Sequence, residues 1–279
     1  MDESPTVSGE IPSKSIFCYA LVAMFGFCPL ASGSKGNCIY FGTQTTRLLI
    51  DAGLSASATV QKLSEINVAI ETIQAILITH EHIDHIRGVP QLASKFGIPI
   101  FANAETAKAI VEQTNCQARF KIFTTGEPFV FGDLEVLPFS IPHDTRDPVA
   151  FVIKACGLKI GFCTDLGYAT SLVRKMLERS DYLYLEANHQ VSMVHSSARP
   201  RVYKERVLSK QGHLSNEACA ELLAVLQHEG LKHVHLAHLS SECNSEELVL
   251  KMIGQALKGT PLSIAYQDRI SKPILFENL

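Results

Sequence analysis

The chain has 279 residues, 46% of them hydrophobic and 19% charged, with a formal net charge of −3. That length allows one large core, or two layers packed on either side of a sheet, and the composition excludes a disordered chain. The slight acidity excludes a general basic coat for nucleic acid and leaves room for a local basic patch. Eight cysteines are scattered without a Cys-x-x-Cys pair. They read as reduced, mostly buried thiols of a cytoplasmic protein and not as a disulfide framework. No apolar run approaches the roughly 18 residues that span a bilayer, so no stable membrane association is expected. No motif speaks to oligomeric state.

Residues 1–23 read as an extension outside the fold. Met1 to Lys14 is polar and turn-rich, the stretch from Ile16 to Pro29 is apolar, and Met24 offers an alternative start. A signal-peptide core is the competing reading, but the apolar stretch runs straight into a glycine loop and shows no small-x-small cleavage site. The expected domain is therefore 24–279. Within it, the sequence predicts a first strand over 25–30, the glycine loop Ala31-Ser32-Gly33-Ser34-Lys35-Gly36-Asn37, and a hairpin of 38–42 with 47–50 that ends at Asp51-Ala52-Gly53. A helix over 54–66 follows. The uncharged, β-branched-rich run 73–78 then reads as a fully buried strand.

A helix is expected over 86–96, ended by Gly97 and Pro99. Next come a strand over 99–102 and a helix over 104–112. Strands follow over 121–123, 128–131 and 134–139, then a hairpin of 150–154 with 159–163 that turns at Gly157. A short helix over 172–177 and a strand over 182–186 precede 190–212, which has no clear period. Helix 215–228 takes Ser215 as N-cap, strand 233–236 follows, helix 245–257 is capped from Asn244, and 262–266 closes the sheets. Two groups of strands, each interleaved with helices, predict an α/β fold: a four-layer αββα sandwich.

The strand over 73–78 stops in Thr79-His80-Glu81-His82-Ile83-Asp84-His85. Imidazole nitrogens and carboxylate oxygens suit zinc and its neighbours. Four such groups on one loop cannot all reach one tetrahedral ion, so the spacing suggests two ions sharing the segment. His143, Asp165 and His238 each lie within a few positions of a predicted strand end, which places them on one rim with the loop.

His80-x-His82-x-Asp84-His85 after a buried strand is the signature of the metallo-β-lactamase-fold hydrolases, and the chain resembles that superfamily. The resemblance implies the same αββα fold. It assigns His80, His82 and His143 to one metal ion and Asp84, His85 and His238 to another, with Asp165 between them. Zinc suits this set best, and manganese or iron is accepted by the same geometry. Two cations about 3.5–4 Å apart would activate a shared water and hold the attacking and leaving oxygens of a displacement. Asp84 is expected to orient the attacking hydroxide or take its proton. Asp51, at a strand end, is expected to hold a ligand imidazole in its tautomer.

Three further stretches narrow the reading: the loop containing Ser32, Ser34 and Asn37; His143-Asp144-Thr145-Arg146-Asp147; and Tyr203 through Asn216, with Gly212-His213-Leu214-Ser215-Asn216 at its end. With Glu186-Ala187-Asn188-His189 they resemble the YycJ/WalJ subfamily from about Phe25 to the C-terminus. That resemblance implies phosphodiester hydrolysis of the 5′-to-3′ DNA exonuclease type, with nucleic acid as partner. Arg199, Arg201, Lys204, Arg206 and Lys210 outnumber Glu205 in a loop leading back to the site and could guide an anionic backbone, with Arg206 as a substrate contact. A solvated charged loop is the plain alternative. His213 precedes a helix start that favours an anion, and is expected to contact the scissile phosphate or protonate the leaving oxygen; a structural capping-region histidine is the alternative. Ser32, Ser34 and Asn37 are expected to line the same opening. The competing enzymatic reading is hydrolysis of a small ester, thioester or lactam. A binding protein that kept the fold is disfavoured, because all seven candidate ligands are present.

Overall fold

A computed structural model describes residues 24–257 and 259–276. The expectations about 1–23 lie outside the described residues. The elements run β1 (Gly26–Ala31), β2 (Cys38–Gly42), β3 (Arg47–Ile50), α1 (Ala56–Glu65), β4 (Ala75–Leu77), α2 (Ile83–Ile86), α3 (Val89–Phe96), β5 (Ile100–Ala102), α4 (Ala104–Thr114), β6 (Phe120–Ile122) and β7 (Phe129–Phe131). They continue with β8 (Leu134–Ser140), β9 (Val149–Ala155), β10 (Leu158–Cys163), α5 (Ser171–Leu177), β11 (Tyr182–Glu186), α6 (Val191–Ser196), α7 (Arg201–Val207), α8 (Asn216–Leu226), β12 (His233–Ala237), α9 (Glu246–Ala256), β13 (Leu262–Ile264) and β14 (Ile274–Leu275).

Among the described residues the strands form two seven-stranded sheets, ordered β14-β1-β2-β3-β4-β5-β6 and β13-β12-β11-β10-β9-β8-β7. Phe27, Phe41, Leu48, Phe151, Ile153 and Phe162 fill the space between the sheets. The outer face of the first sheet packs through Leu49, Ile76 and Ile100 onto Leu63, Leu92 and Ile110 of α1, α3 and α4. The second sheet packs through Val152, Leu183 and Leu236 onto Leu177, Leu222 and Ile253 of α5, α8 and α9. Strands covered on both faces must be apolar on both, which is why the central strands read as continuous hydrophobic runs. The four layers are those expected from the strand grouping.

Several local expectations change. Helix α9 is capped by Ser245, whose hydroxyl accepts from the Leu248 N–H; Asn244 is buried and ties Ala187 and Asn188 instead. Residues 190–212 contain two short helices, α6 and α7, with their own small apolar cluster of Val194, Val207 and Cys243. The helix expected over 86–96 is two pieces, and β14, pairing with β1, closes the first sheet beyond β13. Strands β3 to β6 run parallel to one another, as do β10 to β13. Ligand groups in α/β proteins gather beyond the carboxyl ends of such strands. Asp51 follows β3, His80 follows β4, Asp165 follows β10, Glu186 ends β11 and His238 follows β12.

Candidate metal centre

Three residues at these strand ends adopt left-handed backbone: Asp51 at φ 60°, Asp165 at φ 55° and His238 at φ 55°. Such conformations cost a non-glycine residue about 1 kcal/mol or more and persist where surrounding structure over-determines them. The central loop is clamped in the same way. Asn37 N–H donates to the Asp84 carbonyl at 2.7 Å and Ala52 N–H to the His85 carbonyl at 2.8 Å. A Cβ on Gly53 would lie 1.6 Å from the Asp84 carbonyl oxygen, so only glycine allows the loop to seat.

All seven sequence-predicted ligand candidates come together. His80 Nε2 lies 3.2 Å from His82 Nδ1, and His143 Nε2 is 3.2 Å from the same atom. A tetrahedral zinc with Zn–N of about 2.0–2.1 Å spaces its ligand atoms about 3.3–3.4 Å apart, so the three nitrogens stand at the separation one ion needs. In the second group, His85 Nε2 lies 3.8 Å from Asp84 Oδ2, and His238 Nε2 is 3.9 Å from that oxygen. Asp165 divides between the groups, with Oδ1 3.8 Å from His143 Nε2 and Oδ2 3.3 Å from His85 Nε2. Asp165 Oδ2 and His238 Nε2 are buried without a hydrogen-bond partner among the described residues. Buried polar atoms are nearly always satisfied, and a metal ion at the centre would supply the partner that these two lack. The donor set thus fits divalent metal, its ligand atoms standing in adjoining groups.

The rings are aimed by their far nitrogens. His85 Nδ1 meets Asp51 Oδ2 at 2.8 Å, His238 Nδ1 meets Glu186 Oε1 at 2.9 Å, and His143 Nδ1 meets the Gly212 carbonyl at 3.1 Å. These partners only accept, so each ring carries its proton on Nδ1 and turns a lone pair on Nε2 inward. The Thr79 hydroxyl donates to Asp51 and therefore accepts from His80 Nδ1 at 2.9 Å, fixing that tautomer too. Asn37 Nδ2 sits 2.9 Å from the His85 Nε2 lone pair, while its amide oxygen accepts from Gly33 N–H and pins the glycine loop.

Electrostatics state the same demand. Burial alone would lower the pKa of His85, yet Asp51 and Asp165 outweigh it and hold it well above its ordinary value. Burial is likewise overcome at His238, which Asp165 and Glu186 push up to about 9. Four carboxylates converge here, from Asp51, Asp84, Asp165 and Glu186, and they require positive charge inside. Divalent cations supply it while leaving the lone pairs of the imidazoles available.

Glu186 escaped the sequence analysis as a functional residue. It is fully buried; Oε1 accepts from His213 Nδ1 and His238 Nδ1, both at 2.9 Å, and Oε2 accepts from Leu166 N–H and Leu214 N–H. The available signal was a carboxylate ending the apolar run Tyr182-Leu183-Tyr184-Leu185. His213 therefore sits beside the centre, with its Nδ1 also 3.6 Å from Asp165 Oδ1. Ser34 is exposed, whereas Ser32 is buried and its hydroxyl is occupied by the Tyr184 hydroxyl and by the His238 N–H, each at 2.8 Å. Ser32 supports the left-handed turn at His238 and does not face the opening. Arg206 reaches the opening and is paired there with Asp144, Nε to Oδ2 at 2.6 Å. Glu81 turns away and accepts from the Arg146 backbone N–H.

Residues 46–236 match the model of a family described as the beta-lactamase superfamily domain. Over 252 residues the chain is 35% identical to exodeoxyribonuclease YycJ of Bacillus anthracis, covering 88% of this chain and 95% of that protein. Over 236 residues it is 37% identical to exodeoxyribonuclease WalJ of Streptococcus pneumoniae, covering 83% and 88%. Zinc-bound PqqB of Methylobacterium extorquens superposes with a TM-score of 0.69 at 13% identity, covering 88% of this chain and 99% of that one. The metallo-beta-lactamase fold protein YhfI of Bacillus subtilis gives 0.68 at 17% identity, with 88% and 97% covered. At those identities the two structures speak for the fold alone. With the family match spanning most of the chain and both exodeoxyribonucleases above 30% identity along most of their length, the chain belongs to the beta-lactamase superfamily, has the metallo-β-lactamase fold, and falls in the YycJ/WalJ family.

Proposed function

We propose that this protein is a metal-dependent exodeoxyribonuclease that degrades DNA from a 5′ end. The observation that carries the reading is the pair of adjoining ligand groups, His80/His82/His143 and Asp84/His85/His238, with one oxygen of Asp165 turned to each. Two ions are proposed, zinc first, with manganese or iron as alternatives. When bound, such ions polarise a phosphoryl oxygen and lower the pKa of water. The names of the two relatives support a DNA substrate.

The remaining work falls to this chain's side chains. Asp84 Oδ2 faces both second-group imidazoles and is placed to orient the attacking water and take its proton. His213 shares Oε1 of Glu186 with His238, so its proton stays on Nδ1 and Nε2 is left for the substrate. In the protonated state Nε2 hands a proton to the leaving oxygen. Arg206 reaches the opening, where it is paired with Asp144. The seven described cysteines are free thiols, which supports a reducing, cytoplasmic setting. No helix among the described residues is long and apolar enough to cross a membrane.

Turnover of 5′- and 3′-labelled single- and double-stranded DNA and RNA, with Zn²⁺ or Mn²⁺ restored after chelation, tests the proposal. Mononucleotide release from the DNA 5′ end is expected. Thioester hydrolysis without cleavage of any polynucleotide would favour the small-substrate reading instead.

A further inference from the structure

The basic segment between Arg199 and Lys210 is largely neutralised in the fold. Arg199 pairs with Glu242, Arg201 with Glu205 at 2.6 Å, and Arg206 with Asp144. Only the last pair stands at the metal centre. Arg206 holds Asp144 as a fork, Nε to Oδ2 at 2.6 Å and a terminal nitrogen to Oδ1 at 3.3 Å. Asp144 Oδ1 lies 3.5 Å from His143 Nε2 and 3.7 Å from His82 Nε2. The side chains of His82 and Asp144 are 30% and 29% exposed, whereas His80, His85 and His143 are buried, so this is the open side of the centre. A carboxylate gripped by arginine beside a cation-binding group stands where an anionic oxygen of a substrate would stand.

We propose that Asp144 is an internal competitor for a substrate phosphate, and that Arg206 leaves it to grip the terminal phosphate of a 5′-phosphorylated strand. This rests on the nuclease reading above and names its substrate class. The exchange is feasible because the Arg206 side chain is 56% exposed, and a pair so placed shifts an equilibrium by a factor of only a few. A phosphate monoester presents up to two charges and three acceptor oxygens, against one charge on a carboxylate, and matches the guanidinium fork. An internal diester competes less well, and a neutral ester or thioester not at all. The pair thereby selects phosphorylated ends and excludes small uncharged substrates. Helix α7, which carries Arg206, rests on the separate cluster of Val194, Val207 and Cys243, so the arginine can shift without disturbing the main cores.

The test uses the full metal-loaded chain and two oligonucleotides, 5′-phosphorylated and 5′-hydroxyl. Each is made with a nuclease-resistant phosphorothioate backbone for binding and a natural one for turnover, and metal content is measured for every variant. D144N should tighten binding of the 5′-phosphorylated strand about 5-fold, the size of an exposed pair released. R206Q should weaken it, erase the preference over the 5′-hydroxyl strand, and flatten the dependence of log K on log salt by about 0.7. The double variant should bind like R206Q. Weaker binding or metal loss in D144N, a D144N gain that survives in the R206Q background, or no preference for a 5′-phosphate in the unmodified protein would overturn the proposal. If the unmodified protein binds with this pattern yet cleaves no polynucleotide, the nuclease reading falls and the exchange stands. If it cleaves but the variants depart from the pattern, the exchange alone falls.

Discussion

Replacing Glu186 with glutamine probes the least conspicuous part of the centre. The carboxylate accepts four hydrogen bonds, two histidine Nδ1–H on Oε1 and two backbone N–H on Oε2, all from groups that can only donate in this arrangement. An amide keeps one acceptor oxygen. Whichever way it is turned, two donors then face an NH₂ group. Hydrogen bonds to a charged group contribute about 1.5–3 kcal/mol each, so Glu186→Gln should cost about 3–5 kcal/mol. The titration of Glu186 points the same way. Burial alone would raise its pKa, but His213 and His238 outweigh burial and hold it at about 2 against an ordinary 4.5. A folded pKa below the unfolded one means that the contribution is complete above pH 4.5 and is lost as pH falls through about 2. For a chain of this size, the midpoint of thermal unfolding should drop by about 10 °C. The alternative relaxation moves the His238 proton to Nε2 and removes a lone pair from the second ligand group. Thermal unfolding and metal analysis of the same sample read both outcomes. An E186Q protein with unchanged midpoint and unchanged metal content would refute the reasoning.

Three other expectations follow from the same geometry. Asp51→Asn leaves His85 Nδ1 facing an amide, and the affinity for divalent metal should fall about 10- to 100-fold in a chelator competition; equal affinity would show that His85 holds its tautomer without help. His213→Ala should keep its metals and lose about 100-fold or more in kcat on DNA; full nuclease rate with metals intact would remove His213 from the chemistry. Burial holds His235 at about 3 and His233 at about 4, so both stay neutral in the folded chain, while their unfolded forms take up protons near 6.5. Their contribution is complete above pH 6.5 and falls below it, by about 1.4 kcal/mol per pH unit for each group. Urea unfolding of chelator-treated protein between pH 6.5 and 5 should lose stability less steeply in His235→Phe than in the unmodified chain; an equal slope in the variant would contradict it.

The layers were legible because burial on both faces leaves a plain mark. Cys38–Gly42, Arg47–Ile50 and Tyr182–Glu186 were read to their ends, since each is an apolar run stopped by a turn or a charge. The clustering of the seven candidates was legible because His80, His143, Asp165 and His238 each lie within three residues of a strand end, with His82, Asp84 and His85 in the turn just after His80, and strand ends share a rim. What failed to read was whatever depends on a distant partner. Arg199 and Arg206 look like free positive charge until Glu242 and Asp144 are brought beside them. Ser32 looks like a loop donor, but Tyr184 and His238, far along the chain, bury it and take its hydroxyl. Glu186 looks like the polar end of a strand until four donors converge on it. The helices in 190–212 are six and seven residues long, too short for a periodic apolar stripe, and β14 has only two residues.

Metal stoichiometry addresses the central claim most directly. Chelator-stripped protein titrated with Zn²⁺ should bind two ions per chain, with His80→Ala and His238→Ala each reducing the count to one. Intact protein that binds a single ion, or two ions that persist when either histidine is removed, would contradict the account.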